Sequence, residues 1–209
     1  MTPETLAYLA QTDEILGTLI SKVGPCKLVP RRRRSPYESL VRSVVFQQLN
    51  GTAAATILGR VKALFPGRRF PKPEELLAMS DKKLRAAGLS RAKTAAVKDI
   101  AAKTLAGVVP TSRAINKMSN EEIIERLTSL RGVGPWTVEM LLIFTLGRQD
   151  VLPVTDYGVR KGFALTYGWK ELPHPRELLE FGERWKPHRT TAAWYFWRAL
   201  ELPLAPRPT

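Results

Sequence analysis

The chain is poor in the residues that staple or metallate a fold. Its 209 residues include one cysteine, Cys26, and two histidines, His174 and His188. A single thiol cannot close an internal disulfide or hold a four-cysteine iron–sulfur cluster, and two distant imidazoles make no persuasive metal site. No catalytic metal or other catalytic cofactor is expected. No apolar run approaches the roughly 18 residues that read as a bilayer span. The N-terminal stretch contains Glu4, Asp13 and Glu14 and lacks a signal-peptide pattern, so an intracellular protein is expected, in the cytoplasm or nucleoid of a bacterium or the nucleus of a eukaryote. Strand signals are scarce, because Val44-Val45 and Val108-Val109 are short and no alternating run flanks a tight hairpin turn. Acidic residues are the last shortage. Nineteen stand against 33 Lys and Arg, a formal charge of +14, which points to a polyanionic partner and to nucleic acid first.

The positive excess is spread along the chain. Arg31 to Arg34 form one run, and residues 82–103 hold seven basic residues against Asp99 alone. This distribution fits a surface footprint better than a disordered arm. With 44% apolar residues the chain can bury a sizeable core. Helix starts recur: Ser35-Pro36-Tyr37-Glu38 offers a cap, a first-turn proline and a glutamate able to reach back, and Ser119-Asn120-Glu121-Glu122 is a second capping box. Breaks near residues 66–73, 107–111, 147–153 and 169–175 divide the chain into many short helices. An all-α fold is the economical reading. The tail from Leu202 onward, with three prolines, is expected to run extended or disordered.

Residues 130–161, LRGVGPWTVEMLLIFTLGRQDVLPVTDYGVRK, carry the most information. The helix opened by Ser119 leads into Arg131-Gly132-Val133-Gly134, Pro135 suits a first helical position, and an apolar run from Val138 to Leu146 follows at helical spacing. Backbone N–H groups at such a helix start face outward and can take a phosphate; a plain helix–helix turn is the other reading. It is not a dinucleotide fingerprint, since Thr137 replaces the third glycine and no strand precedes it. Asp156 lies just beyond the Pro153 turn, at the start of a helix ending near Tyr167, where an N-cap role is equally available.

Together these strings resemble the helix–hairpin–helix (HhH-GPD) DNA glycosylase superfamily, and within it the 3-methyladenine DNA glycosylase II family. The resemblance rests on VRSVVFQQLN (41–50), GLSRAKTAAVKDIA (88–101), LRGVGPWT (130–137), LPVTDYGVRK (152–161) and RWKPHRTTAAWYFW (184–197). It implies one all-α glycosylase domain of two helical lobes, residues 36–149 and residues 1–35 plus 150–209, with the active-site cleft between them. Because Ser35 already begins the core pattern, no counterpart of the β-rich N-terminal domain of longer relatives is expected.

By this resemblance Asp156 is the catalytic carboxylate, and Asp150 lacks the family position. Trp136 occupies the hairpin position where bifunctional relatives carry a lysine nucleophile, which implies a monofunctional enzyme. Lys161 is too far from that position to substitute. Trp136, Tyr157 and Trp197 match base-pocket positions, Met140 replaces a family aromatic there, and Trp194 reads as core. Gln48, or alternatively Leu49, matches the wedge that fills the gap left by a flipped base. Arg131, Gly132, Gly134, Thr137 and the amide of Trp136 are expected at a DNA phosphate, with Arg91 and Lys93 as further backbone contacts. The family also implies a monovalent cation, Na+ or K+, on the backbone carbonyls of Thr128, Leu130 and Val133.

The activity so implied is hydrolytic release of alkylated purines, chiefly 3-methyladenine and secondarily 7-methylguanine, from double-stranded DNA by a monomer. A uracil or hypoxanthine glycosylase and a non-catalytic lesion-binding protein are the alternatives.

Overall fold

The computed structural model describes residues 2–202, and no strand occurs among them. The helices, in chain order, are α1 (Pro3–Thr12), α2 (Glu14–Val23), α3 (Pro36–Phe46), α4 (Gly51–Ala63), α5 (Pro73–Ala78), α6 (Asp81–Ala86), α7 (Arg91–Leu105), α8 (Ser112–Ile115), α9 (Asn120–Thr128), α10 (Pro135–Leu141), α11 (Tyr157–Tyr167), α12 (Pro175–Phe181) and α13 (Arg189–Ala199). The expected proline-rich tail lies almost wholly outside the described residues. No described helix is long and apolar enough to cross a membrane.

Two compact units emerge. Arg31–Leu146 forms one, and the segments before and after it form the other. Their boundaries fall a few residues earlier than the 35/36 and 149/150 divisions expected from sequence.

In the Arg31–Leu146 unit α3 is the central helix, and it packs against α4, α7 and α10. Ser35 starts it as the spacing predicts, accepting a hydrogen bond from the Glu38 amide at 3.1 Å. Glu38 does not reach back to complete a capping box. Its buried carboxylate instead binds Arg42 Nε at 2.9 Å and Arg69 at 2.7 Å, a stronger pairing than a neutral amide offers. The second capping box forms as expected, with Ser119 and Glu122 exchanging bonds at the start of α9. The apolar run after the hairpin is helical, but its last turn, Leu142–Leu146, widens to a π-helix.

The other unit is built on the crossing of α11 and α13, with α2 against both. An added Cβ at Gly162 would lie 1.9 Å from the Phe196 carbonyl oxygen, so the two backbones meet there. Around this crossing Phe163, Tyr167, Phe181, Trp185 and Phe196 form one aromatic cluster, with ring centroids 4.5 to 6.5 Å apart. The buried carboxylate of Asp13 anchors the cluster. It caps α2 through the Leu16 amide at 3.0 Å and accepts from Tyr167 Oη at 2.6 Å and Trp185 Nε1 at 3.0 Å. Burial and that carboxylate push the Tyr167 hydroxyl far above the usual phenol range, so it stays a donor.

Candidate active site

The sequence-predicted residues fall into two groups, one in each unit. Asp156 opens α11 after a tight turn in which its own amide donates to the Pro153 carbonyl at 3.0 Å. One carboxylate oxygen, Oδ1, accepts two N–H bonds, from the Val159 amide and from Trp197 Nε1, both at 2.8 Å. The N-cap role and the proposed chemical role therefore share one side chain. Two bonds of this charge-assisted kind fix the carboxylate plane, and the positive end of the α11 dipole lies beside it.

Gly158 makes the Trp197 bond possible. A Cβ there would sit 2.9 Å from Trp197 Cδ1 and 3.1 Å from Asp156 Oδ1, so only hydrogen lets the indole come alongside. Gly158 and Gly162 are one helical turn apart and face α13 together. Neither glycine is among the site residues that the motifs mark in the sequence. Two glycines four residues apart inside a helix were the available signal, because each weakens the helix and therefore needs a packing reason.

Trp197 was expected as a pocket aromatic, and the structure adds that its N–H holds the acid. Tyr157 is 61% exposed at the first position of α11, with Lys161 Nζ 5.7 Å from its ring centre. Trp194 is buried and lies edge-on to Tyr195. Asp150 is engaged in a two-point ion pair with Arg189, at 2.6 and 2.9 Å, which holds the loop after residue 146 to the start of α13.

In the Arg31–Leu146 unit the hairpin and the loop at residues 47–50 meet. Gly132 takes φ +74, a left-handed conformation that a side chain would strain, and a Cβ on it would press on Ala96 at 3.1 Å. The amides of Gly132 and Gly134 have no acceptor among the described residues, which leaves them available to an anion. The Thr137 amide is not: it donates to the Gly134 carbonyl at 3.0 Å, closing the first turn of α10. The Arg131 amide is taken as well, by Asp99 Oδ2 at 2.8 Å, while its side chain is exposed. Trp136, 40% exposed, and the half-buried Met140 lie one turn apart on α10 and share a face.

Residues 47–50, the expected wedge, form the loop that joins α3 to α4. Gln48 is exposed and has φ +56, a left-handed conformation that costs a non-glycine residue about 1 kcal/mol. Leu49 beside it is also exposed, and Asn50 caps α4 through the Ala53 amide at 2.8 Å. Gln47 tethers the loop to the hairpin, its Nε2 donating to the Gly132 carbonyl at 3.0 Å and to Thr137 Oγ1 at 3.4 Å.

Lys93 departs from expectation. Its ammonium donates to the Val45 carbonyl at 2.8 Å and the Gln47 carbonyl at 2.6 Å, so two of its three donors bind the end of α3 rather than a phosphate. Burial pushes its pKa down. Arg91, two residues earlier, is exposed. At the other end of α3 the guanidinium groups of Arg31 to Arg34 have no carboxylate partner among the described residues, and Arg32 and Arg34 border a cavity of about 270 Å³.

For a hard monovalent cation the hairpin offers only oxygen. The carbonyls of Thr128 and Val133 accept no hydrogen bond among the described residues, and that of Leu130 accepts one, from Val133 at 3.2 Å. Among the described residues no three His, Cys, Asp or Glu side chains gather into a metal site.

Known proteins resemble this chain in sequence and fold. The model of the HhH-GPD superfamily of base excision DNA repair proteins matches residues 41–188. The chain is 40% identical over 198 residues to DNA-3-methyladenine glycosylase 1 of Schizosaccharomyces pombe, covering 93% of this chain and 86% of that one. The solved structure of the S. pombe 3-methyladenine DNA glycosylase in complex with abasic DNA matches with a TM-score of 0.86 and 40% identity, over 95% of this chain and 97% of that one. A DNA-3-methyladenine glycosidase from Bacillus halodurans gives 0.84 and 37%, over 95% and 89%. The helices, the hairpin and these matches agree: the chain belongs to the HhH-GPD superfamily of base excision DNA repair proteins.

Proposed function

We propose that this protein is a monofunctional DNA glycosylase that hydrolyses the N-glycosidic bond of alkylated purines in duplex DNA, 3-methyladenine first and 7-methylguanine second. The observation that carries the reading is the Asp156 carboxylate, held by the Val159 amide and the Trp197 indole at the start of α11, in a chain whose relative at 40% identity is a DNA-3-methyladenine glycosylase.

The chemistry follows from charge. Alkylation at N3 or N7 makes the purine cationic, so the base leaves as a neutral molecule when the C1′–N bond breaks and the bonding pair moves to the ring nitrogen. Positive charge then builds on the sugar, as in glycoside hydrolysis. Asp156 stabilises that oxocarbenium-like centre and orients the water that adds at C1′ and loses a proton. Tyr157 and Trp197 in the unit of Asp156, and Trp136 beside Met140 on α10, each offer an aromatic face that favours an electron-poor ring by about 0.5 to 2 kcal/mol per contact. Trp136 stands where a lysine would be needed for strand cleavage, and indole cannot form a Schiff base.

DNA is held from the other unit. The free amides of Gly132 and Gly134 and the side chain of Arg131 take a phosphate, with the exposed Arg91 as a further backbone contact. A Na+ or K+ ion on the carbonyls of Thr128, Leu130 and Val133 would add positive charge behind that phosphate. Gln48 and Leu49 enter the stack where the damaged base has left it.

Asp156→Asn tests the reading. It keeps the side-chain oxygen for the Val159 amide but removes the charge. The expected outcome is a fall in single-turnover release of methylated base on the order of 10²- to 10³-fold, with duplex affinity little changed. An unchanged release rate would remove Asp156 from the mechanism; loss of binding together with release would make it a structural cap.

A further inference from the structure

One face of α7 touches both the hairpin and the root of the loop at residues 47–50. Lys93 binds the carbonyls of Val45 and Gln47 at the root of the wedge loop. Ala96 lies against Gly132. Asp99 takes the Arg131 amide, and Lys103 Nζ donates to the Ser129 carbonyl at 2.9 Å. These four positions recur at intervals of three, three and four, which aligns them along one side of a helix over about 15 Å. The helix therefore sets the spacing between the hairpin and the wedge.

We propose that Lys93 is the positioning residue of the wedge, an assignment that rests on the reading of residues 47–50 as the wedge of a base-flipping enzyme. A tip in a left-handed conformation holds only if its base is over-determined. Gln48 is such a tip, and directly beneath it Gln47 is fixed twice, by its side chain to the hairpin and by its carbonyl to Lys93. The ammonium also lies at the negative end of the α3 dipole, where a cation is favoured. Without it the last turn of α3 loses its partner for two carbonyls, and the loop must be ordered anew each time it enters the stack. A phosphate contact would leave the ammonium facing solvent and DNA; here burial lowers its pKa and its donors point back into the protein.

The test separates wedge function from chemistry by comparing duplex with single-stranded substrate, since a single strand needs no gap filled. Lys93→Met keeps the aliphatic stem and removes charge and donors. Release from alkylated duplex should fall about tenfold, the factor that ordering one residue's backbone entails, while release from an alkylated single strand changes by less than about twofold on the same grounds. Lys93→Arg should recover most of the duplex-to-single-strand ratio. A 2-aminopurine placed beside an abasic analogue in duplex DNA reports unstacking without bond breakage, and its fluorescence rise should shrink in Lys93→Met. Equal losses on both substrates would overturn the proposal, as would an unchanged ratio. So would a salt dependence of duplex binding shallower by about one charge with the ratio intact, which is the signature of a phosphate contact. If Lys93→Met does not melt cooperatively, Lys93→Gln is read in its place. Should the wild-type protein release no base at all, the function reading fails, and the 2-aminopurine signal still decides the role of Lys93.

Discussion

The turn that presents Asp156 and the loop that presents Gln48 are both short, yet opposite means hold them. Asp156 is fixed by packing: two glycines let α13 close against α11, and the crossing delivers the Trp197 N–H to the carboxylate. Gln48 is fixed by polar tethers from distant points of the sequence, Lys93 on α7 and the hairpin through Gln47. Asp156, the proposed catalytic carboxylate, stands on a rigid aromatic core. Gln48, the proposed wedge, stands on hydrogen bonds, which can yield and reform. Core substitutions should therefore disturb Asp156, and polar substitutions Gln48.

Gly162→Ala is the strongest way to break this contrast. The new Cβ would meet the backbone oxygen of Phe196 at 1.9 Å, where no side chain can move aside. The crossing must open, at about 3 kcal/mol or more, and thermal melting should fall by roughly 10 °C for a chain of this size. A variant that melts like the wild type would show that the crossing is not what holds the acid. Trp197→Phe is the finer probe. It keeps a ring at the crossing and removes the N–H. Base release should fall about tenfold, as expected when a charged acceptor loses one donor, with melting shifted by only a few degrees. A large loss of stability without a change in release per folded molecule would reverse the assignment and make Trp197 a packing residue.

Much of this could be read from residue order because it is local. Ser35, Ser119 and Asp156 cap the helices that follow them, each bonding an amide three residues on. The hairpin could be read for the same reason, since Gly132 supplies a left-handed turn and Pro135 a helix start. What could not be read depends on contacts across the chain. Lys93 looked like any lysine on a basic helix face, and only the fold shows that it meets carbonyls 46 and 48 residues away. Glu38 matched a capping box, but two arginines outbid an amide for it. Asp13 gave no local sign that Tyr167 and Trp185 would close over it. The amide of Thr137 read as a phosphate ligand from the motif alone, and the Gly134 carbonyl had already taken it.

The central claim is hydrolytic release of a damaged base with the strand left whole. It is tested most directly by incubating the wild-type protein with alkylated duplex DNA under single-turnover conditions, identifying the released base by mass, and treating a parallel sample with borohydride. The account predicts free 3-methyladenine, an unbroken strand carrying an abasic site, and no protein trapped on DNA. A strand cut at the abasic position, or a covalent borohydride adduct at Lys161 or any other lysine, would contradict it.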